Sequence, residues 1–212
     1  MTITKEHIIK AIDAALAEGK GKRKFTQSVD LAVGFKDVDF NKAENRLNLD
    51  IVLPHPPRKA KIAIYADATI MTKAREVADL IIMADEIPVY ASDKKKQKQL
   101  LDYNGLAAPS LMVPIGKALG QFLGAKGRLP KPVMPNADLK EVVERTRRTI
   151  NIKSKGKYLP AVSCIVGNEN MPTAEIAENV LTIFEAIEKK VPEHNIKSVF
   201  IKTTMGKPAK LL

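Results

Sequence analysis

Two styles of hydrophobic patterning share this chain. Residues 28–35 and 47–53 place apolar side chains at alternate positions: Val29, Leu31, Val33 and Phe35 in the first, Leu47, Leu49, Ile51 and Leu53 in the second. A period of two belongs to strands with one buried face, the usual state of an antiparallel sheet. Ahead of them, residues 4–16 carry Ile8, Ile12, Ala15 and Leu16 at helical spacing. The same style returns near the C-terminus. Residues 149–153 and 161–166 read as short strands joined by a basic turn, and residues 198–203 as a last strand with Val199 and Ile201 on one face. Between them Pro172 can open a helix at its first turn, with Ile176, Val180, Phe184 and Ile187 as its apolar stripe.

The middle follows another rule. Residues 61–66, KIAIYA, form a nearly continuous apolar run, as in a strand covered on both faces. The pattern then predicts a helix over 71–83, a short strand over 88–91, a charged helix over 93–103 capped by Asp93, a strand over 111–113 and a helix over 136–148. Strands alternating with helices predict a parallel sheet with helices on its faces. The chain therefore reads as an α/β module, residues 58–148, inserted into an α+β module made of residues 1–57 and 149–212. The crossings fall at the Pro-rich segment 54–57 and at 147–149, where two adjacent strands of chain can serve as a hinge.

Composition narrows the function. The 212 residues suffice for one large domain or two small ones. The net charge of +11 attracts polyanions, either nucleic acid or an acidic membrane surface. No apolar run approaches the ~18 residues of a membrane span, and the N-terminus lacks the pattern of a signal peptide. Aromatic residues are 5% of the chain and Trp is absent, so stacking platforms for single strands do not dominate. Cys164 is the lone cysteine, which excludes an internal disulfide and a cysteine-based zinc site and fits a reducing cytoplasm. Its alternation with Val162 and Val166 makes it a core thiol.

Enzyme chemistry is poorly represented. Gly116, Gly120, Gly124 and Gly127 have the wrong spacing for a dinucleotide loop, and no P-loop occurs. His7, His55 and His194 lie in three separate regions. Glu141 and Glu144 share their helix with Arg145, Arg147 and Arg148, a solvated mixed face. The expectation is no catalytic residue, no metal and no cofactor.

Positive charge gathers in loops instead. Residues 119–135, LGQFLGAKGRLPKPVMP, combine glycines, prolines and the cations Lys126, Arg128 and Lys131. Such a mixture suits neither helix nor strand and reads as an exposed cationic loop facing phosphate. Lys20, Lys22, Arg23 and Lys24 form one further cluster, and Lys153, Lys155 and Lys157 another, each beside a strand end. After the last strand, Thr203, Thr204, Met205 and Gly206 offer two hydroxyls, a flexible apolar side chain and bare backbone. Those groups suit a ribose-lined RNA surface. Thr204 and Gly206 read as lying beyond the core strand, where changes leave folding intact.

The segments KRKFTQSVDL (22–31), LGQFLGAKGRLPKPVMPN (119–136) and KTTMGKP (202–208) carry a resemblance. Over its whole length the chain resembles archaeal members of the large-ribosomal-subunit protein one family, the proteins of the mobile stalk beside the ribosomal exit site. The resemblance implies a discontinuous α+β domain of the split β-α-β type, built from both termini, and an inserted Rossmann-like α/β domain. It implies a first domain that binds a stem–internal-loop element of the large rRNA and a mimic of it in its own mRNA, repressing translation. It also implies a stalk that moves with deacylated tRNA at the exit site. The RNA-binding residues carried over are Lys24, Phe25, Ser28, Ser198, Thr204, Met205 and Gly206. Lys22, Arg23, Lys153, Lys155, Lys126 and Arg128 are accessory candidates. Ser28 stands where some relatives have threonine, which keeps the hydroxyl. Ala125 stands where the family's LGPRG-type loop usually has proline. A cytoplasmic ribosomal protein, monomeric when free of the ribosome and needing no cofactor, is the expectation. The alternatives are an RNA-modifying or processing enzyme using the α/β module and a basic scaffold without RNA specificity. The enzyme would need a cofactor loop after 61–66, and ADATIMTKA is not one.

Overall fold

The computed structural model describes residues 4–21, 23–40, 42, 45–134, 137–154 and 159–212. The chain forms two compact units, Met1–Arg58 with Arg148–Leu212 and Lys59–Arg147.

The first unit is made by both ends of the chain. It holds α1 (Lys5–Gly19), β1 (Ser28–Phe35) and β2 (Asn48–Val52) from one end. With numbering continued through the insertion, the other end supplies β7 (Thr149–Lys153), β8 (Ala161–Asn168), α8 (Thr173–Glu188), β9 (Ile196–Thr203) and β10 (Ala209–Lys210). Four strands form an antiparallel sheet in the order β10-β9-β1-β8, and β2 pairs with β7 in a separate antiparallel ladder. Val29 stands opposite Thr203, Leu31 opposite Ile201 and Val33 opposite Val199, which fixes the inward phase of both central strands. That phase meets Ile8, Ile12 and Ala15 of α1 and Ile176, Val180, Ile183 and Ile187 of α8 in one core. Each fully buried aliphatic side chain here contributes about 1.5–3 kcal/mol. The opposite sheet face, with Asp30, Ala32, Ser163, Ser198 and Phe200, is half-buried or exposed.

Cys164 packs against this core, and burial pushes its thiol up to about 12. A thiol held protonated is no nucleophile. Asn179 is fully buried on α8 yet fully engaged. It accepts from the His55 N–H at 3.1 Å and donates to the carbonyls of His55 at 2.6 Å and Val166 at 2.8 Å. Asn168 donates to Pro57 O at 2.8 Å. Segment 54–57 is thereby tied to β8 and α8 rather than left loose.

The second unit has a parallel sheet in the order β4-β3-β5-β6. In chain order its elements are β3 (Lys61–Tyr65), α2 (Met71–Val77), β4 (Leu80–Ile82), α3 (Ile87–Ser92), α4 (Lys94–Leu100), β5 (Tyr103–Ala107), α5 (Met112–Ala118), α6 (Gly120–Ala125), β6 (Lys131–Pro132) and α7 (Leu139–Arg148). Several expectations fail here. Residues 88–91 are helix, because Pro88 sits in the first turn of α3, where no donor is required of it. Residues 111–113 are not a strand either: Leu111 is the N-cap of α5, and Met112 and Val113 are its first residues. The helix expected over 71–83 stops at Val77, and Leu80–Ile82 pairs with β3. The end of the 93–103 segment also belongs to a strand, β5. Short apolar runs read alike in strand and buried helix.

Residues 119–135 are only partly loop. Leu119 and Leu123 are buried four residues apart, and their burial holds α6 together despite two glycines. The helix ends in a Schellman motif. Gly127 takes the left-handed φ of +65°, its N–H donates to Gly124 O at 3.0 Å, and Arg128 N–H donates to Leu123 O at 2.9 Å. Ala125 is the last residue of α6.

Strand order reverses between β3 and β5, the place where open α/β sheets hold ligands. Here Asp67, just past β3, accepts from the Thr69 hydroxyl, from Ser110 Oγ at 2.9 Å and from the Thr69 N–H at 3.1 Å. The Thr69 and Ser110 hydroxyls hold the Asp67 carboxyl below the usual carboxylate range.

Two outcomes are expected. A shortened chain joining residues 1–57 to 149–212 through a linker folds on its own, and a cooperative thermal transition checks it. Asp67→Asn lowers the melting temperature at neutral pH. The folded-state carboxyl is depressed, so its contribution is present above the ordinary value near 3.8 and is lost as pH falls through the lower folded value. Melts of both proteins across that range should therefore converge under acid.

Candidate nucleic-acid interface

The end of β9 and the start of β1 meet at one edge of the first unit, and most of the candidate residues gather there. The chain leaves α1, runs through Arg23, Lys24 and Phe25, and enters β1 at Ser28. On the neighbouring strand, β9 ends at Thr203 and turns back, with the Gly206 N–H donating to Thr203 O at 3.1 Å.

Hydrogen bonds join the two segments. Thr204 N–H donates to Ser28 O at 3.0 Å. Ser28 N–H donates to Thr204 Oγ1 at 3.1 Å, the two hydroxyls lie 3.0 Å apart, and Thr204 Oγ1 is 3.3 Å from Ser28 O. One set of protons satisfies all of these. Thr204 gives its proton to Ser28 O and accepts from the Ser28 amide and hydroxyl, which uses the full capacity of its oxygen. Ser28 Oγ keeps acceptor capacity. Thr204 is thus first a clasp between strands, and Ser28 presents the spare hydroxyl lone pairs.

Beneath the turn lie two polar side chains in the inward phase of their strands. Gln27 is 1% exposed and Thr203 is 0% exposed. The Gln27 carboxamide donates to Gly19 O at 2.5 Å and to Glu169 Oε2 at 3.3 Å, and its oxygen accepts from the Met205 N–H at 3.0 Å. Among the described residues Thr203 Oγ1 has no hydrogen-bond partner. A Cβ built on Gly19 or on Gly206 would collide with that oxygen. The expectation that Thr203 offers its hydroxyl to a partner is therefore wrong, and so is the expectation that Gly206 can change without consequence for folding. Gly206 is glycine because Thr203 lies directly against it.

The result is a small surface with fixed backbone and projecting side chains. Phe25 is 51% and Met205 58% exposed. A groove of about 560 Å³ opens beside Phe25, lined among others by Ser28, Thr204, Asn168 and Arg58. Arg58 lines it, and the exposed Arg23 and Lys24 lie just ahead of Phe25 in the chain. On the sheet face behind, Asp30 pairs in register with Lys202; burial raises the Asp30 carboxyl and the Lys202 charge opposes that rise.

Other candidates lie elsewhere. Ser198 stands opposite Gly34 on the same outward face, six positions from Thr204, or about 20 Å along the strand. Lys153 ends β7 opposite Asn48, in the other ladder. Lys126 and Arg128 belong to the second unit, where Arg128 donates to Asn104 Oδ1 at 2.6 Å. Lys22 and Lys155 lie outside the described residues. The sequence reading missed Gln27, Asn168, Arg58 and Glu169. Gln27 had a signal: it continues the inward alternation of Val29, Leu31 and Val33, where a polar residue needs a buried partner. Among the described residues no group of three His, Cys, Asp or Glu side chains could hold a metal ion, and no helix is long and apolar enough to cross a membrane.

Comparison with known proteins gives a consistent result. Residues 14–207 match the model of the ribosomal protein L1p/L10e family. The large ribosomal subunit protein uL1 of Thermofilum pendens is 41% identical over 207 residues, covering 95% of this chain and 91% of its own. The protein of the same name from Archaeoglobus fulgidus is 38% identical, covering 97% of each chain, and that from Pyrobaculum islandicum 37%, covering 97% and 93%.

The contact at Thr203 yields a stability prediction. Gly206→Ala should destabilise the first unit by about 1–3 kcal/mol through overpacking against a β-branched side chain with little freedom to turn. Adding Thr203→Ala should restore most of the loss. Urea unfolding of the single and double variants measures both.

Proposed function

We propose that this chain, which belongs to the ribosomal protein L1p/L10e family, is a structural protein of the large ribosomal subunit that grips the stalk rRNA where β1 and β9 meet. It is not an enzyme. The observation that carries the reading is the Met205 turn: its backbone is fixed by Ser28 and Gln27 while Phe25 and Met205 project from it, more than half exposed.

The chemistry suits a folded RNA with an internal loop. A-form RNA offers sugar edges and 2′-hydroxyls across a shallow minor groove, and unpaired bases where the stem is interrupted. Phe25 and Met205 supply apolar area against sugars and bases. Ser28 Oγ can accept from a 2′-hydroxyl. Arg23, Lys24 and Arg58 neutralise phosphates and speed encounter. A surface whose backbone is already ordered loses little freedom on binding, which favours slow dissociation.

Further steps rest on the same surface. A messenger carrying the same stem and internal loop competes for it, so binding there represses translation of that message. On the ribosome, the protein caps the stalk and takes part in the movement of deacylated tRNA from the exit site. The cellular place of this activity is the cytoplasmic ribosome.

Phe25→Ala and Met205→Ala test the reading cleanly, because both side chains face solvent. Each should speed dissociation from a stem–internal-loop RNA of the large-rRNA stalk by roughly tenfold, equivalent to about 1.4 kcal/mol, with an unchanged melting temperature. The loss should persist at high salt, since no charge is removed. Wild-type dissociation by both variants, or equal binding to unrelated stem–loops, contradicts the reading.

A further inference from the structure

A buried residue decides whether the gripping turn has its shape. We infer that Gln27 is the positioning residue of the RNA surface, acting through the Met205 amide without touching RNA itself. The inference rests on the reading of the Met205 turn as the gripping surface.

Gln27 joins three separate parts of the unit. Its amide nitrogen reaches Gly19 O at the end of α1 and Glu169 Oε2 just past β8, and its oxygen takes the Met205 N–H just past β9. Its own carbonyl accepts from the Glu169 N–H at 3.0 Å. The side chain is 1% exposed and Glu169 is 6% exposed, so water does not substitute for these partners.

The pattern asked of this position is specific. Two acceptors lie on one side and one donor on the other. A carboxamide meets that demand in a single orientation, with the nitrogen toward Gly19 and Glu169. Glutamate has the same shape but accepts at both ends, which would set a carboxylate against the Glu169 carboxylate and the Gly19 carbonyl. Methionine fills the space and meets none of the three. In either case the Met205 N–H loses its anchor or its geometry, while Phe25, Arg23 and Lys24 stay as they are. With methionine, which adds no charge, the encounter with RNA is thus unchanged and the lifetime of the complex is not.

The test uses the full chain and the synthetic stalk stem–internal-loop RNA, with association, dissociation and melting measured for each protein. Gln27→Met should dissociate about tenfold faster with an unchanged association rate and salt slope, even at temperatures well below its melting transition. Gln27→Glu should dissociate at least as fast. Combining Gln27→Glu with Glu169→Gln removes the carboxylate pair and leaves an acceptor for Met205 but still sets an oxygen against the Gly19 carbonyl, so it should recover only part of the loss and dissociate more slowly than Gln27→Glu alone. If Gln27→Glu fails to fold, Gln27→Met and the double variant carry the test. Wild-type dissociation by folded Gln27→Met, alongside faster dissociation by Phe25→Ala, overturns the inference and leaves the reading of the surface standing. Wild-type dissociation by Phe25→Ala and Met205→Ala removes that reading and the inference with it.

Discussion

Thr203 has no room above it. Its buried hydroxyl lies under Gly19 at the end of α1 and under Gly206 in the turn after β9, and among the described residues no hydrogen bond offsets its burial. An unsatisfied hydroxyl of this kind costs about 1–3 kcal/mol. The surrounding core offsets that cost, because Val199 and Ile201 hold β9 in register with β1 and leave Thr203 nowhere else to face. The consequence is a close approach of three backbone segments. Only residues without a side chain fit at positions 19 and 206, and only a carboxamide fits beside them at Gln27. A rigid turn at the end of the sheet's central strands follows from packing beneath it.

The same economy shows where the chain crosses between units. Both ends of the sequence build the first unit, so segment 54–57 must leave it without unravelling β2. Asn179 and Asn168 hold that segment from below, spending buried polar groups on backbone rather than on a ligand. In the second unit, Asp67 does the same at the switch point of the sheet. Its carboxylate is engaged by Thr69 and Ser110. Polar side chains in both units thus serve the fold first.

Much of this was legible in the sequence where periodicity is sustained. The alternation over residues 28–35 is β1, and the stripe of Ile176, Val180, Phe184 and Ile187 is the buried face of α8. Legibility ended where runs are short. Residues 88–91 and 111–113 have three or four apolar positions, and tertiary packing made helices of them. The two-residue β10 has no pattern to read. At the candidate site, residue types pointed to Phe25, Ser28 and the Thr204–Gly206 turn, but not to their division of labour. Thr204 and Ser28 look alike as hydroxyls, and only the geometry shows that one is used internally. Gln27 was visible as a polar residue in an apolar phase, although two of its partners, Glu169 and Met205, lie far away in sequence.

The central claim is that the turn is ordered before RNA arrives. Amide hydrogen exchange of the free protein at Thr204, Met205 and Gly206 tests it most directly. Their N–H groups donate to Ser28 O, Gln27 Oε1 and Thr203 O. The account predicts slow exchange at all three in the absence of RNA, with Met205 comparable to the core of β9. Exchange at the rate of an unstructured chain, slowed only when stalk RNA is added, would contradict it.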